Sequence, residues 1–256
     1  LYKEICDVLL GRRVYAKKIN LPLTGEQNQS LLQELALDLM IRGTQKFTAQ
    51  EIIPLIQETL QKVPSNKLTV EEWLEVIKND VGLIVEKETG SYEFAHLSFQ
   101  EYLAAVQAKT SNQENLLIQN FQNSTWAETI RLYAALRDTT QLIIYALKNP
   151  NIASLSLAYD FCKEGIYTEP KTQKALEEML ESGLESSEPD IEKMAAQVKL
   201  SRRLNNLYDI NNNVAIDCSY ITYVEYQLFI DEYLNSQTHF SSGNAQKPII
   251  DITYQD

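Results

Sequence analysis

Two short β-rich runs, followed at once by a helical pattern, constrain the fold of this chain more than any other feature of its sequence. The runs are residues 82–86 (GLIVE) and 91–95 (SYEFA), and Gly90 stands between them. A glycine there supplies the positive φ that a tight hairpin turn needs. Phe99 and Leu103 then recur at helical spacing. The sequence therefore predicts a two-stranded wing that leads directly into a helix.

His96 lies where the wing meets this helix. Ser98 is placed as an N-cap, with Glu101 three residues later as its capping-box partner, so we expect the helix to begin just after Ser98. Two interpretations of His96 stay open. A histidine beside an apolar face is typically a packed core residue with locally satisfied ring nitrogens, whereas an imidazole donor at a helix N-terminus can contact a phosphate.

Three helical patterns precede the wing, at about residues 25–42, 48–62 and 69–80, which is the element order of a winged-helix domain. The third would be the recognition helix of a DNA-binding regulator, which is one alternative for the whole chain. It carries four acidic residues against the single Lys78, and the chain has a formal net charge of −12. Because phosphate repels such a surface, we expect no nucleic-acid partner. We expect its apolar residues in the core: Trp73, Leu74 and Ile77.

The sequence of a nucleotide-binding core is missing from this chain. None of the eight glycines begins a GxxxxGK[ST] phosphate loop, and no strand ends in paired acidic residues suited to magnesium. We therefore expect no catalytic residue, no metal site and no cofactor held by this chain alone. One basic cluster is expected to be solvated, or to face a phosphate or a partner domain: Arg12, Arg13, Lys17 and Lys18.

The cysteines and the hydropathy of the chain favour a cytoplasmic protein. Cys6, Cys162 and Cys218 are isolated and show neither metal-ligand nor disulfide spacing. No apolar run approaches the ~18 residues of a membrane span, so we expect no membrane partner.

Helical periodicity returns in blocks after a polar segment that begins near residue 110. The blocks are residues 125–136, 140–147, 152–164, 170–181 and 189–207, and proline or glycine separates most of them. This pattern predicts stacked helical hairpins, HEAT-like by analogy only. Residues 164–192 hold nine acidic side chains against two lysines. Such a run is usually a solvated face, and the alternative is a dock for a basic partner.

The last fifty residues mix turns, a helix and an expected strand. Residues 209–217 (DINNNVAID) are turn-rich with a short strand. Residues 221–234 have helical spacing, with Thr222 as the N-cap and Glu225 as its capping-box partner. Residues 248–254 (PIIDITY) predict a strand.

The first part of the chain resembles the end of a NACHT-type signal-transduction ATPase of the STAND class. The resemblance covers about residues 1–110, and FAHLSFQEYLAA, residues 94–105, is its most specific part. It implies an upstream NACHT ATPase domain as a partner in cis, with ADP or ATP and magnesium bound there. It also implies that His96 reaches the β-phosphate of bound ADP and holds the resting state.

The last part resembles the opening of a formylglycine-generating-enzyme-like (sulfatase-modifying factor) domain, which has a C-type-lectin-like fold. The matching residues are Thr222, Glu225, Tyr226 and Phe229, then Pro248, Ile249 and Ile250, with Tyr254 in place of the usual tryptophan. The resemblance covers the first third or so of such a domain. Nothing corresponds to the copper-binding cysteines of its catalytic members, and Cys218 is not a candidate.

Together these features predict a mainly α chain, α+β overall. We expect the end of an ATPase helical lid (1–24), a winged-helix domain (25–109), a helical-hairpin region (110–207) and an incomplete C-type-lectin-like segment (208–256). The expected function is the regulatory and sensor portion of a NACHT-type switch in signalling or bacterial defence. Its C-terminal part would recognise an unknown ligand or partner, and activation would involve oligomerisation. The alternative is part of an enzyme whose active site lies in the completed C-terminal domain.

Overall fold

The computed structural model describes residues 1–12, 21–62, 68–204, 207–211, 214–234 and 246–250. The chain divides into two compact units, residues 1–137 and residues 138–256. Helices dominate the described part of both units, and the strands form two small two-stranded sheets. The predicted mainly α class is therefore confirmed, whereas the C-type-lectin-like part stays a prediction.

The first unit contains a winged-helix arrangement. Its helices are α1 (Tyr2–Asp7), α2 (Gly25–Arg42), α3 (Ala49–Gln61), α4 (Val70–Val76), α5 (Leu97–Thr110), α6 (Glu114–Gln119) and α7 (Ala127–Ala134), and its strands are β1 (Ile84–Glu88) and β2 (Ser91–Phe94). Short π-helical turns, Val8–Arg12 and Ile77–Val81, follow α1 and α4, and a 3-10 turn, Ser124–Trp126, precedes α7.

Threonine caps fix where the three helices before the wing begin. The side chains of Thr24, Thr48 and Thr69 each accept a hydrogen bond from the backbone N–H three residues on, within complete capping boxes. Helix α2 is followed by Gly43, whose φ of 65° is a left-handed conformation that glycine adopts without strain. The caps explain why the predicted and observed bounds of these helices agree closely.

The wing is an antiparallel hairpin in which Ile84 pairs with Phe94 and Glu86 pairs with Tyr92. Gly90 has φ of 76°, as the sequence predicted. Phe47 forms an isolated β-bridge beside the hairpin, because its N–H and C=O both hydrogen-bond to the backbone of Tyr92, at 2.9 and 2.8 Å. The Phe47 and Tyr92 rings stack with centroids 6.0 Å apart. This bridge ties the wing to the segment between α2 and α3.

The core of the first unit is built mainly by the packing of α2 against α5 and of α5 against α7, and α4 adds buried side chains to it. Trp73, Leu74 and Ile77 are buried, as predicted. The Trp73 indole N–H donates to Asn28 Oδ1 at 3.0 Å, and the Asn28 amide donates to the carbonyl of Leu23 at 3.2 Å. A buried tryptophan therefore has its polar group satisfied, and it connects α4 to the start of α2.

The second unit is a set of packed helices followed by a small hairpin and a short helix. Its elements are α8 (Thr140–Lys148), α9 (Ile152–Lys163), α10 (Pro170–Leu184), α11 (Pro189–Leu204), β3 (Tyr208–Asn211), β4 (Val214–Ile216) and α12 (Tyr223–Phe229), with a π-helical turn, Ile230–Leu234, after α12. Helix α11 packs against α9, α10 and α12. Gly183 lies so close to Ala195 that a Cβ added there would meet the alanine methyl at 2.9 Å, so α10 and α11 approach closely.

The sequence predictions for the second unit are confirmed only in part. Leu155 is buried as predicted, whereas Tyr159 and Cys162, also expected in the core, are only half-buried. Nearly all acidic residues of the 164–192 run are exposed, as a solvated face requires. Residues 248–250 do not form a strand: Pro248 makes one isolated bridge to Thr222, and the Ile249 N–H donates to the Ile221 carbonyl at 2.8 Å. The rest of that predicted strand lies outside the described residues.

The hairpin β3–β4 is held to the helices by ion pairs more than by apolar packing, since every described residue of both strands is exposed. Arg203, near the end of α11, pairs with Asp217 at 2.6 Å and with Glu225 at 2.7 Å. Glu225 also accepts from the backbone N–H of Thr222 at 2.8 Å, so the predicted capping box of α12 is confirmed. One arginine thus joins α11, the chain after β4 and the start of α12.

Candidate functional site

His96 lies at the junction of wing and helix, as the sequence predicted. It follows β2 by two residues and serves as the N-cap of α5, with extended backbone angles of φ −141° and ψ 140°. The N–H of the preceding Ala95 donates to the carbonyl of Leu83 at 2.9 Å, and the His96 carbonyl accepts from Phe99 N–H at 3.0 Å. The backbone of His96 is therefore fixed on both sides, by the wing and by the first turn of α5.

The imidazole of His96 is exposed, so the interpretation of this residue as a packed core histidine is wrong. Its ring centroid lies 5.9 Å from that of Phe99, which packs edge-on against Tyr2 of α1 at 6.4 Å. Tyr2 also stacks on Tyr102, with centroids 5.7 Å apart. Among the described residues no hydrogen bond or ion pair reaches the imidazole. The aromatic rings of Phe99, Tyr2 and Tyr102 thus pack beneath the His96 imidazole, whose nitrogens are available to a ligand.

The predicted capping box of this helix is wrong. Helix α5 begins at Leu97, one residue before Ser98, and no side chain caps its N-terminus. The extended conformation needed at an N-cap falls on His96, which places Ser98 inside the first turn. Glu101 is consequently not a cap but a half-buried carboxylate, and burial, followed by the nearby charge of Glu128, raises its pKa.

The N-terminus of α5 is a surface that can hold an anion. The helix has 14 residues, its first turn contains no acidic residue before Glu101, and its first N–H groups lack a side-chain acceptor. The positive end of the helix dipole and an adjacent imidazole donor therefore point to the same region. The sequence FAHLSFQEYLAA predicted a histidine beside a helix N-terminus, but it did not predict that the His96 side chain is exposed.

The recognition-helix position of the winged helix carries negative charge. Glu71, Glu72 and Glu75 are exposed on α4, and the nearby lysine is occupied: Lys78 Nζ lies 2.5 Å from Glu75 and 3.0 Å from Glu86. These two bonds, to Glu75 first, raise the pKa of Lys78. The side chains of the basic cluster Arg12, Arg13, Lys17 and Lys18 lie outside the described residues.

A cavity of about 570 Å³ in the second unit was not anticipated from the sequence. Its charged lining comes from α9 and α11 together with Glu225. Asp160 pairs with Arg202 at 2.5 Å, and the Lys163 ammonium lies 5.2 Å from the centroid of the Tyr159 ring. Lys199, Arg202 and Arg203 share the α11 wall at helical spacing, which is the signal that identifies them in hindsight. The cavity combines cations, an aromatic ring and apolar surface.

The three cysteines are all free. Burial raises the pKa of Cys6 and of Cys162 to about 11, with Asp7 and Glu177 as the second cause in each case, so neither is an activated thiol. No group of three or more His, Cys, Asp or Glu side chains in the described part of the chain is arranged to hold a metal ion. Within the described residues, no helix has both the length and the apolar character needed to cross a membrane.

Comparison with known families places the winged helix. Residues 1–108 match the family described as the winged helix-turn-helix domain C-terminal to NACHT. No curated protein matches the chain, and no solved structure does. The match covers less than half of the chain and supports the predicted NACHT-associated winged helix over those residues, and this family implies an association with a NACHT domain in cis and is non-catalytic by itself. It does not extend to the residues that resemble a formylglycine-generating enzyme.

Proposed function

We propose that the NACHT-associated winged helix of this chain reports the nucleotide state of an upstream NACHT ATPase, and that His96 contacts the ADP β-phosphate in the resting state. ADP or ATP and magnesium belong to that ATPase and not to this chain. The second unit recognises a ligand or partner, and recognition leads to an active, oligomeric form. The role is regulatory, in signalling or defence.

The observation that carries this proposal is the exposed imidazole of His96 at an N-terminus of α5 that no side chain caps. Helix N-termini attract phosphate oxygens through their N–H groups and their dipole. The imidazole adds a hydrogen-bond donor, and its ring packs on Phe99, which Tyr2 in turn contacts. Loss of the γ-phosphate or a movement of the winged helix would make or break such a contact, which is what a nucleotide-state sensor needs.

The cavity of the second unit supports ligand recognition there. Its lining offers the Tyr159 ring, the Lys163 ammonium and apolar surface to a ligand, while the α11 cations already pair with carboxylates, for which an anionic ligand would compete. The start of a formylglycine-generating-enzyme-like domain would add a recognition module with a C-type-lectin-like fold at residues 208–256. The capping box of Thr222 and Glu225 and the bridge from Thr222 to Pro248 are consistent with that proposal.

The nucleotide contact is tested in the full-length protein with its ATPase domain. We expect purified wild-type protein to retain ADP, and His96→Ala to retain several-fold less, because a hydrogen bond to a charged group contributes about 1.5–3 kcal/mol. His96→Gln, which keeps a side-chain donor, should retain an intermediate fraction. The measurement is bound nucleotide per protein, by chromatography of the denatured sample.

The matched control is His239→Ala, because His239 is the other histidine of the chain. It should retain ADP as the wild type does. Equal retention by wild type and His96→Ala, with equal basal ATPase activity, would exclude His96 from the mechanism. Loss of ADP in both histidine variants would point to an unspecific effect on folding, which far-ultraviolet circular dichroism would detect.

A further inference from the structure

A second cavity, of about 430 Å³, lies in the first unit beside the first turn of α5. Leu97, Gln100 and Glu101 line it from that turn, and Gln100 follows His96 by one helical turn. The end of α2 forms a second wall, from Leu39 to Gln45, and the segment from Ser124 to Arg131 forms the third. All of these residues belong to the same compact unit.

The charges of this cavity do not balance. Glu128 forms an ion pair with Arg131 at 3.0 Å. Glu101 has no hydrogen bond and no ion pair among the described residues, although it is half-buried and its pKa is raised first by burial and then by Glu128. A carboxylate in such a place is stabilised when a cation joins it. Glu128 therefore has a cationic partner, whereas Glu101 has no hydrogen bond or ion pair within the described part of the chain.

Two further features add hydrogen-bond acceptors and negative charge to the cavity, against the positive end of the α5 dipole that also borders it. Gln100 is only 2% exposed, and its amide nitrogen donates to the Thr44 carbonyl at 3.2 Å, but its Oε1 has no hydrogen-bond donor. A buried amide oxygen without a donor is uncommon, because it forfeits the bond that it had in water. The C-terminal end of α2, at Gly43, adds the negative end of a helix dipole of 18 residues.

The remaining walls are apolar. Leu39, Met40, Leu97 and Ala127 line the cavity beside the acceptors, and Leu97 is 42% exposed. A ligand for this cavity must therefore bring a cationic hydrogen-bond donor on an aliphatic stem. An isolated metal ion would leave the apolar walls uncovered, and an anion would meet two carboxylates.

We propose that this cavity binds the cationic side chain, lysine or arginine, of a partner segment, with Glu101 as the main acceptor. The charged head lies among Glu101, Glu128 and the amide of Gln100, and the aliphatic stem covers Leu97 and Met40. The site lies beside the same turn of α5 as His96, but it uses other side chains, Glu101 and Glu128, than the nucleotide contact does. It makes the winged helix a docking surface for a basic segment whether or not His96 contacts ADP.

The test is a titration of the 256-residue chain with blocked amino acids, followed by amide chemical shifts. The probes are N-acetyl-arginine methylamide, N-acetyl-lysine methylamide and the neutral isostere N-acetyl-citrulline methylamide. We expect saturable shifts at Thr44, Gln100, Glu101 and Glu128 with the cationic probes, and affinity at least about tenfold lower for citrulline, because charge-assisted bonds are lost.

Two variants separate this site from general attraction to an acidic protein. Glu101→Gln should weaken the cationic probes about tenfold, whereas Glu71→Gln, which removes an exposed acid from α4, should change nothing. Glu101→Gln keeps the size of the side chain and is expected to fold, and its amide spectrum checks this. Equal binding of citrulline, equal binding by Glu101→Gln, or shifts that lie elsewhere would each overturn the proposal.

Discussion

The two units of the chain hold their parts together by different means. In the first unit the winged helix is organised by apolar burial, with Trp73 at its centre and one hydrogen bond from its indole to Asn28. In the second unit the end of the chain depends on Arg203, which pairs with Asp217 and Glu225, while the hairpin strands beside it are exposed. The first unit should therefore unfold as one body, and the end of the second should open locally at lower cost.

This difference matters for function, since a sensor needs one part that keeps its shape and one part that responds. His96 lies on the rigid part, because Ala95 and Phe99 fix its backbone through the wing and α5. The α9–α11 cavity lies on the part held by ions, where a ligand that competes for Arg202 or Arg203 would alter the pairs that hold α12. Four predictions test the comparison.

The largest effect is expected in the first unit. Trp73→Ala should lower its free energy of unfolding by about 3–5 kcal/mol, because it opens a cavity and leaves the Asn28 amide without its donor. Trp73→Phe keeps most of the ring and should cost less. Urea unfolding followed by circular dichroism measures both. Little loss with Trp73→Ala would mean that α4 is not central to this core.

A smaller and local effect is expected in the second unit. Arg203→Ala should cost about 2 kcal/mol, since it leaves Asp217 and the nearly buried Glu225 without their cation. Hydrogen exchange should rise in residues 207–229 and stay unchanged around Trp73. The control Lys174→Gln breaks a pair that is exposed on both sides and should cost almost nothing. Faster exchange throughout the chain would contradict a local role.

The same capping motif occurs in both units and allows a direct comparison. Thr48→Ala and Thr222→Ala each remove an N-cap side chain from a complete capping box, and each should cost about 1 kcal/mol. The loss at Thr48 should appear as a shift of the cooperative unfolding of the first unit, and the loss at Thr222 as faster exchange in α12 alone. If either variant lowered the stability of both units in one cooperative transition, the proposed difference between cooperative unfolding in the first unit and local opening in the second would be wrong.

The smallest effect concerns Glu101. Its raised pKa means that the folded chain keeps a proton that the unfolded chain has already released, so stability falls as pH rises through that interval. Glu101→Gln should therefore stabilise the first unit at neutral pH, and the gain should shrink toward about pH 4, where the unfolded carboxyl is itself protonated. Thermal melts at several pH values measure this, with Glu71→Gln as the flat reference.

Features that depend on residues close in sequence, such as helix caps and turns, were predicted better than features that depend on tertiary contacts. Thr222 was predicted as a helix start because its cap involves only residues three positions apart, and Gly90 was predicted to be in the turn for a similar reason. The same rule failed at Ser98, where the chain leaves the wing in extended form and His96 takes the N-cap position. Sequence spacing alone does not include that constraint.

The sites required contacts that sequence does not display. Glu101 and Glu128 are 27 positions apart, and only the packing of α5 against α7 brings their charges together. Arg203 and Glu225 meet in the same way across α11 and α12. The exposure of His96 also depends on packing, because an apolar helix face beside a histidine is compatible with burial or with access.

The central claim is that His96 stabilises the ADP-bound resting state, and the ratio of ADP to ATP affinity in the full-length protein tests it most directly. Fluorescent nucleotide titrations of wild type and His96→Ala measure that ratio without turnover when magnesium and a non-hydrolysable ATP analogue are used. We predict that His96→Ala weakens ADP binding about tenfold and leaves the ATP analogue nearly unchanged, because only a contact made in one state shifts the equilibrium. An unchanged ratio would contradict the account.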